Sequence, residues 1–156
     1  MWRLPLYLFC CVLLSGLANA ADRPNVLWIT AEDISPAFGA YGDAVARTPN
    51  IDRLAESSQV FQRAFATAPI CAPARSCLIT GVYATSMGTQ NLRSEVPIPD
   101  FLKTLPELLS ASGYYTSNNS KTDYNFDPTG RWDALGSDAH WKNRPKGKPF
   151  FSVFNY

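Results

Sequence analysis

A cysteine, a proline and an arginine stand at alternate positions near the middle of the chain, as Cys71, Pro73 and Arg75. Pro73 near the start of this segment and Gly81 at its end predict a helix that the chain enters at Cys71. A nucleophile at the start of a helix lies where unpaired backbone N–H groups and the helix dipole favour anions. Arg75, one turn later, carries a planar fork of hydrogen-bond donors. The spacing indicates nucleophilic chemistry on a bound anion, and a buried thiol beside a solvated arginine is the simpler alternative.

Cys77 is the second cysteine of this segment. If the segment is helical, the Cα atoms of Cys71 and Cys77 lie ~9 Å apart. That separation exceeds the limit of about 7 Å for a disulfide. We therefore interpret Cys77 as a small buried apolar residue.

Two adjacent acids, Glu32 and Asp33, follow the apolar and β-branched run Val26–Thr30. The run predicts a buried strand, so both carboxylates belong at its C-terminal end. Carboxylate oxygens are hard ligands that suit Ca²⁺ or Mg²⁺. An acidic surface loop after a strand is the alternative interpretation.

The rest of the chain alternates further strands with helices. Thr48-Pro49 and the Thr104-x-x-Glu107 capping box each predict a helix start, and Gly113 predicts the end of the second of these helices. Further strands are expected at 60–66, 114–117 and 150–156, and loops at 84–100 and through most of 118–149. This alternation predicts an α/β fold with a mixed, largely parallel sheet. Ligands of such sheets bind beyond the carboxyl ends of the strands, where Glu32, Asp33 and Cys71 would all lie.

Charge and length exclude several classes of protein. Arg3 and an apolar stretch over 4–18, followed by Ala18-Asn19-Ala20, have the form of a signal peptide over residues 1–20. Without it, the 14 basic residues of the chain become 13, against 13 acidic ones. This balance does not indicate nucleic acid or an anionic membrane as a partner. Residues 21–156 are also too few for an eight-fold α/β barrel, which needs about 250.

The segment around Cys71 resembles the signature of the type I sulfatases, Cys-x-Pro-x-Arg followed by Thr-Gly, here Thr80-Gly81. In that family the cysteine is oxidised during export to formylglycine, which hydrates to a geminal diol. One hydroxyl attacks the sulfur of a sulfate ester, and the other then expels sulfate from the covalent intermediate. The resemblance implies that Cys71 is the catalytic residue and Arg75 its partner, and that a formylglycine-generating enzyme acts on this chain.

The resemblance extends upstream. Residues 23–33 resemble the first strand of a sulfatase, which ends in two acids that bind Ca²⁺ or Mg²⁺. It implies a metal site formed by Glu32, Asp33 and the modified Cys71. Glu32 replaces the more common Asp, so we assign the firmer metal role to Asp33. Residues 48–55 also match a family helix, which is part of the scaffold.

Downstream, residues 113–123 resemble the family strand that leads to Gly-Lys-x-His. Lys121 aligns with the family lysine that binds the sulfate. This alignment implies a catalytic and substrate-binding role for Lys121. Asp123 replaces the histidine and is the second candidate substrate-binding residue. A carboxylate there repels an anionic substrate unless it is metal-bound, protonated or turned toward a hydroxyl. His140, the only histidine, receives no catalytic role.

The resemblance implies an alkaline-phosphatase-like fold and an exported, periplasmic or secreted sulfuric ester hydrolase that acts on a sulfated small molecule or glycan. It also implies that residues 21–156 are the N-terminal part of a catalytic domain, with further ligands downstream. We expect this segment alone to be inactive and its last strand to fray. A phosphonate or phosphate monoester hydrolase and a non-catalytic remnant are the alternative functions.

Overall fold

The computed structural model describes residues 23–156, so the expected signal peptide lies outside the described residues. This part of the chain contains eight strands and helices, besides two short 3₁₀ turns at Gly39–Tyr41 and Trp141–Asn143. In chain order they are β1 (Val26–Thr30), α1 (Pro49–Glu56), α2 (Cys71–Thr80), α3 (Ala84–Met87), α4 (Leu105–Ala111), β2 (Tyr115–Asn119), β3 (Ala134–Gly136) and β4 (Phe150–Asn155).

The four strands form one sheet in the order β1-β4-β2-β3, and every neighbouring pair is parallel. Val26 pairs with Phe151, and Tyr115 pairs with Phe150. Helices flank the sheet, as in the predicted α/β class. Among residues 23–156, no helix combines the length and apolar character needed to cross a membrane.

The core lies against β4 and is largely aromatic. Phe151 is buried and stacks on Trp132, with ring centroids 5.7 Å apart, and it also contacts Trp28 at 5.9 Å. The rings of Tyr124 and Phe126 stack at 5.3 Å. Through this packing, β4 is held in the interior of the sheet and Tyr124 is held in the core.

Several helix boundaries agree with the predictions. Helix α2 begins at Cys71 and ends before Gly81, whose φ of 70° suits glycine. Thr104 and Glu107 form the expected capping box at the start of α4, with Glu107 Oε2 accepting from the Thr104 N–H at 2.9 Å. These are local patterns that a few neighbouring residues specify.

The prediction of a strand over 60–66 was wrong, since this segment is irregular and Phe65 is 87 % exposed. A strand needs a partner for its backbone groups, and in the part of the chain that the structure describes no strand pairs with this segment. The loop expected over 84–100 contains the short helix α3, and the segment 118–149 contains β3. The strand expected at 114–117 is shifted to Tyr115–Asn119.

Burial of the strands also differs from expectation. β1 was predicted to be buried, but among residues 23–156 it is at the edge of the sheet, with Ile29 61 % exposed. β4 was predicted to fray as an unpaired edge, but it is hydrogen-bonded on both sides, to β1 and to β2. Cys77 was predicted to be buried and is half-buried, at a cavity that it shares with Thr67 and Tyr83. Both cysteines of α2 are free thiols.

Candidate active site

The predicted site residues meet at the carboxyl ends of the strands. Glu32 follows β1, Lys121 follows β2, and Asn155 is the last residue of β4. Parallel strands end at the same edge of a sheet, so these side chains come together although they are far apart in sequence. Helix α2 carries Cys71 in its first turn, where no side chain of the described residues caps the backbone N–H groups. These polar residues therefore lie together at the edge of the sheet that the sequence predicted.

Arg75 is the centre of this cluster and is only 7 % exposed. Its Nη1 donates to Asn155 Oδ1 at 2.8 Å and to Glu32 Oε1 at 3.3 Å. Its Nη2 donates to the backbone carbonyl of Lys121 at 2.7 Å. The guanidinium carbon also lies 5.2 Å from the centroid of the Tyr124 ring. Arg75 is thus fixed by hydrogen bonds and an aromatic face, unlike the solvated arginine of the simpler alternative.

Glu32 pairs with two cations at once. Its Oε1 faces Arg75, and its Oε2 accepts a hydrogen bond from the ammonium of Lys121. This hydrogen bond raises the pKa of Lys121, and the nearby Cys71 thiol adds to the effect, while desolvation opposes it. Lys121 is therefore charged at neutral pH and lies next to the position expected to carry the nucleophile.

Asp123 faces cations too. Its Oδ2 lies 3.2 Å from Arg93 Nη2 and 3.8 Å from Lys121 Nζ. Both contacts reduce the repulsion that an ionised Asp123 would exert on a bound anion. The charges thus alternate from Arg75 through Glu32, Lys121 and Asp123 to Arg93.

Arg93, Tyr124 and Asn155 are the contributors that the sequence analysis missed. Asn155 Oδ1 accepts from Thr30 Oγ1 at 2.7 Å as well as from Arg75, and its Nδ2 donates to the Asn119 carbonyl at 2.7 Å. The only sequence signal for Asn155 is its place at the end of an apolar strand. Arg93 carries no sequence signal beyond its charge, because it lies in a segment with no periodicity.

Tyr124 is buried between the core and Arg75. Burial raises its pKa to about 12, and the neighbouring Arg75 partly opposes this shift. Its phenol is consequently neutral across the physiological range.

Asp33 is exposed and has a backbone φ of 51°, in the left-handed region that non-glycine residues rarely adopt. Its oxygens and those of Glu32 suit a hard cation in chemistry. Within residues 23–156, no group of three or more His, Cys, Asp or Glu side chains is placed to hold a metal ion. The metal-binding roles of Glu32, Asp33 and Cys71 therefore stay predictions.

Among the described residues, His140 forms no hydrogen bond with this cluster. Its Nδ1 accepts from the backbone N–H of Lys142 at 3.0 Å, and its ring packs edge-on against Phe154. These contacts place His140 at the start of the 3₁₀ turn Trp141–Asn143, and the sequence analysis gave it no catalytic role.

Comparison with known proteins places the chain in a family. The family model described as Sulfatase matches residues 24–154. The chain is 36 % identical over 148 residues to the ulvan-active sulfatase of Formosa agariphila, covering 86 % of this chain and 25 % of that protein. It is 37 % identical over 116 residues to the iduronate 2-sulfatase of Homo sapiens, covering 71 % of this chain and 21 % of that protein. The chain thus spans about a quarter of the length of the curated relatives that it matches.

Solved structures support the same fold. One is a protein in complex with its substrate D-glucosamine-2-N,6-O-disulfate, with a TM-score of 0.74, 22 % identity and coverage of 85 % of this chain and 34 % of that one. Another is the phosphonate monoester hydrolase of Agrobacterium radiobacter, with a TM-score of 0.59, 34 % identity and coverage of 69 % and 21 %. Since the family model matches nearly the whole described chain, the chain belongs to the sulfatase family, in the alkaline-phosphatase-like superfamily.

Proposed function

We propose that this chain forms the nucleophile-bearing part of a sulfuric ester hydrolase that acts on sulfated carbohydrates and uses a formylglycine made from Cys71. The observation that carries the proposal is the cluster of Arg75, Glu32 and Lys121 around the start of the helix that bears Cys71. The positive charges of Arg75 and Lys121, which the Glu32 carboxylate holds together beside residue 71, are suited to binding a tetrahedral sulfate group.

Each side chain has a distinct part in this proposal. A formylglycine at position 71 would supply a hydrated aldehyde hydroxyl as the nucleophile. Arg75 is already hydrogen-bonded and buried, so it holds its charge in place without reorganising when a substrate arrives. Lys121 supplies a compact charge for a sulfate oxygen, which fits its raised pKa. Glu32 keeps the two cations close together.

The metal, the modifying enzyme and the location belong to the same proposal. Ca²⁺ or Mg²⁺ would bind through Asp33, with Glu32 and residue 71, once further ligands from outside residues 23–156 complete the usual coordination number of about six to eight for Ca²⁺. Modification of Cys71 requires a formylglycine-generating enzyme as a partner. Because that modification accompanies export in the family, we place the protein in the periplasm or outside the cell.

The carbohydrate substrate class is supported by the relatives. Two of them are named for ulvan and for iduronate 2-sulfate. The carboxylate of Asp123 next to the cluster is also suited to accept hydrogen bonds from sugar hydroxyl groups.

The experiment is turnover by the full-length protein, exported from a host that has the formylglycine-generating enzyme. We expect hydrolysis of an aryl sulfate and of a sulfated monosaccharide, with loss of both activities in Cys71→Ala. Cys77→Ala, which changes the same residue type two turns later, is the matched control and should keep the activity. Absence of sulfate release from the unsubstituted protein would refute the proposal and favour the non-catalytic remnant.

A phosphonate monoester hydrolase is the second candidate, because the chain is 34 % identical to such an enzyme over 69 % of its length. Sulfate and phosphonate monoesters present similar tetrahedral anions, so the cluster alone does not separate them. Parallel assays with p-nitrophenyl sulfate and p-nitrophenyl phenylphosphonate separate the two functions. A higher kcat/KM for the phosphonate ester would favour the second candidate.

A further inference from the structure

A cavity of about 530 Å³ opens beside the charge cluster, between the segments 93–97 and 122–128. Its volume lies within the range of about 300 to 1,000 Å³ that is typical of small-molecule sites. Phe126 and Pro97 line it together with charged side chains. Thr122 and Asp123 belong to the segment 113–123 that resembles the family, and the other lining residues lie outside the motifs identified from the sequence.

Asp123 connects the cavity directly to the cluster. It lines the cavity, and its Oδ2 lies 3.8 Å from Lys121 Nζ. Tyr124 lines the cavity too, and its ring lies 5.2 Å from the Arg75 guanidinium. A ligand whose sulfate lies at Lys121 and Arg75 would therefore extend into this cavity.

The charge of the cavity is negative. Arg93 is the one basic residue among those that line it, against the carboxylates of Glu95, Asp123 and Asp127. Arg93 is already paired with Asp123 at 3.2 Å. Hydrogen bonds from the Thr129 hydroxyl and backbone N–H lower the pKa of Asp127, so it stays ionised. Among residues 23–156 neither Glu95 nor Asp127 forms an ion pair, although the charge of Arg131 acts on Asp127. Both carboxylates are therefore close enough to repel an anionic group of a ligand in the cavity.

We infer that this cavity holds the sugar ring that bears the sulfate ester, and that it selects rings whose other substituents are uncharged hydroxyl or amide groups over rings with a second anionic group. The inference rests on the proposed function, since it assumes that the sulfate lies at Lys121. The carboxylates of Glu95 and Asp127 repel a second sulfate or carboxylate and accept hydrogen bonds from hydroxyl groups. Oδ1 of Asp123, which takes part in neither of its ion pairs, is a further acceptor.

The test measures binding by the full-length protein with Cys71→Ser, which prevents turnover. The probes are N-acetylglucosamine 6-sulfate and N-sulfoglucosamine 6-sulfate, which differ by one anionic group on the nitrogen. Isothermal titration should give a Kd about tenfold lower for the monosulfated sugar. Equal Kd values, or tighter binding of the disulfated sugar, would overturn the inference.

Two double variants that remove the same charge at different places test whether the cavity causes the difference between the two Kd values. Glu95→Gln with Asp127→Asn removes the two unpaired carboxylates and should bring the ratio of the two Kd values close to one. Glu56→Gln with Asp100→Asn removes two exposed acids outside the cavity and should leave the ratio unchanged. A ratio that both pairs change equally would refute the cavity as the source of the selection.

Turnover separates this inference from the proposed function. If the formylglycine protein releases no sulfate from an aryl sulfate but the Kd ratio behaves as expected, the proposed function fails and the cavity's selectivity stands. If it hydrolyses the aryl sulfate while the Kd ratio is one, only the inference fails.

Discussion

Arg75 and Asn155, 80 residues apart, are joined by a hydrogen bond of 2.8 Å from Nη1 to Oδ1. The bond links the first turns of α2, where Cys71 lies, to the end of the central strand β4. Asn155 in turn binds Thr30 at the end of β1 and Asn119 at the end of β2. One amide side chain thus connects three strand ends to the arginine beside the expected nucleophile.

Removing this amide should destabilise the protein. Asn155→Ala leaves Arg75, Thr30 and the Asn119 carbonyl each short of one hydrogen bond, so we expect the free energy of unfolding to fall by about 1 to 3 kcal/mol. Urea denaturation of the full-length protein measures this change. Asn50→Ala, at an exposed position of α1, is the control and should change stability far less. A loss no larger than in the control would contradict the bridging role.

Arg75 should not be replaceable by lysine. A lysine has one charged nitrogen and cannot reach Asn155, Glu32 and the Lys121 carbonyl together, as the planar guanidinium does. We expect Arg75→Lys to lower kcat/KM for an aryl sulfate by about 100-fold or more. Arg53→Lys, exposed on α1, serves as the control. Near-normal kcat/KM in Arg75→Lys would mean that charge alone matters at this position.

The buried phenol of Tyr124 should make stability depend on alkaline pH. Its pKa is raised to about 12 in the folded state, compared with about 10 in an unfolded chain. Above about pH 10 the folded state keeps a proton that the unfolded state loses, so the free energy of unfolding falls as pH rises toward 12. Between about pH 9 and about pH 11 the unsubstituted protein should lose about 1 kcal/mol more than Tyr124→Phe.

Denaturation curves at the two pH values check this difference. Tyr83→Phe is the matched control, because Tyr83 is 67 % exposed. Equal pH dependence in the unsubstituted protein and Tyr124→Phe would show that the phenol ionises alike in both states.

The two acids after β1 should differ in their effect on metal binding. Asp33 is exposed and has no ion pair among the described residues, whereas Glu32 is held by Arg75 and Lys121. We expect Asp33→Ala to weaken Ca²⁺ or Mg²⁺ binding and to abolish turnover, while Glu32→Asp is tolerated because it restores the acid pair common in the family. Calcium titration of both variants measures this. Equal losses in the two variants would contradict the ranking.

The modification should be specific to Cys71. Cys77 lies in the same helix but is not followed by proline and arginine at the required spacing. Peptide mass spectrometry of the protein exported with the formylglycine-generating enzyme should detect the aldehyde at residue 71 and a thiol at residue 77. An intact thiol at Cys71, under conditions that convert a control sulfatase, would exclude the proposed nucleophile.

The elements that the sequence predicted well are those that neighbouring residues specify. Pro73 and Gly81 bound a helix, and Thr104 and Glu107 satisfy each other's donors and acceptors within one turn. The β-branched and apolar residues of Val26–Thr30 predicted a strand, and the structure has one there, paired with β4. The family signature around Cys71 is equally local, so the sequence alone was enough to identify the family and the edge of the sheet where its residues meet.

Tertiary structure decided what each side chain contacts. Glu32 is held between Arg75 and Lys121 only because β1 and β2 both border β4 in the parallel sheet, and nothing near Glu32 in sequence shows those partners. Strand order likewise made β4 central and β1 exposed, although both are apolar runs. The segment 60–66 is not a strand despite its composition. In each case the result depends on which strand lies next to the segment. The neighbouring strand determines the hydrogen-bond partners and the burial of the segment, and the local sequence does not specify that neighbour.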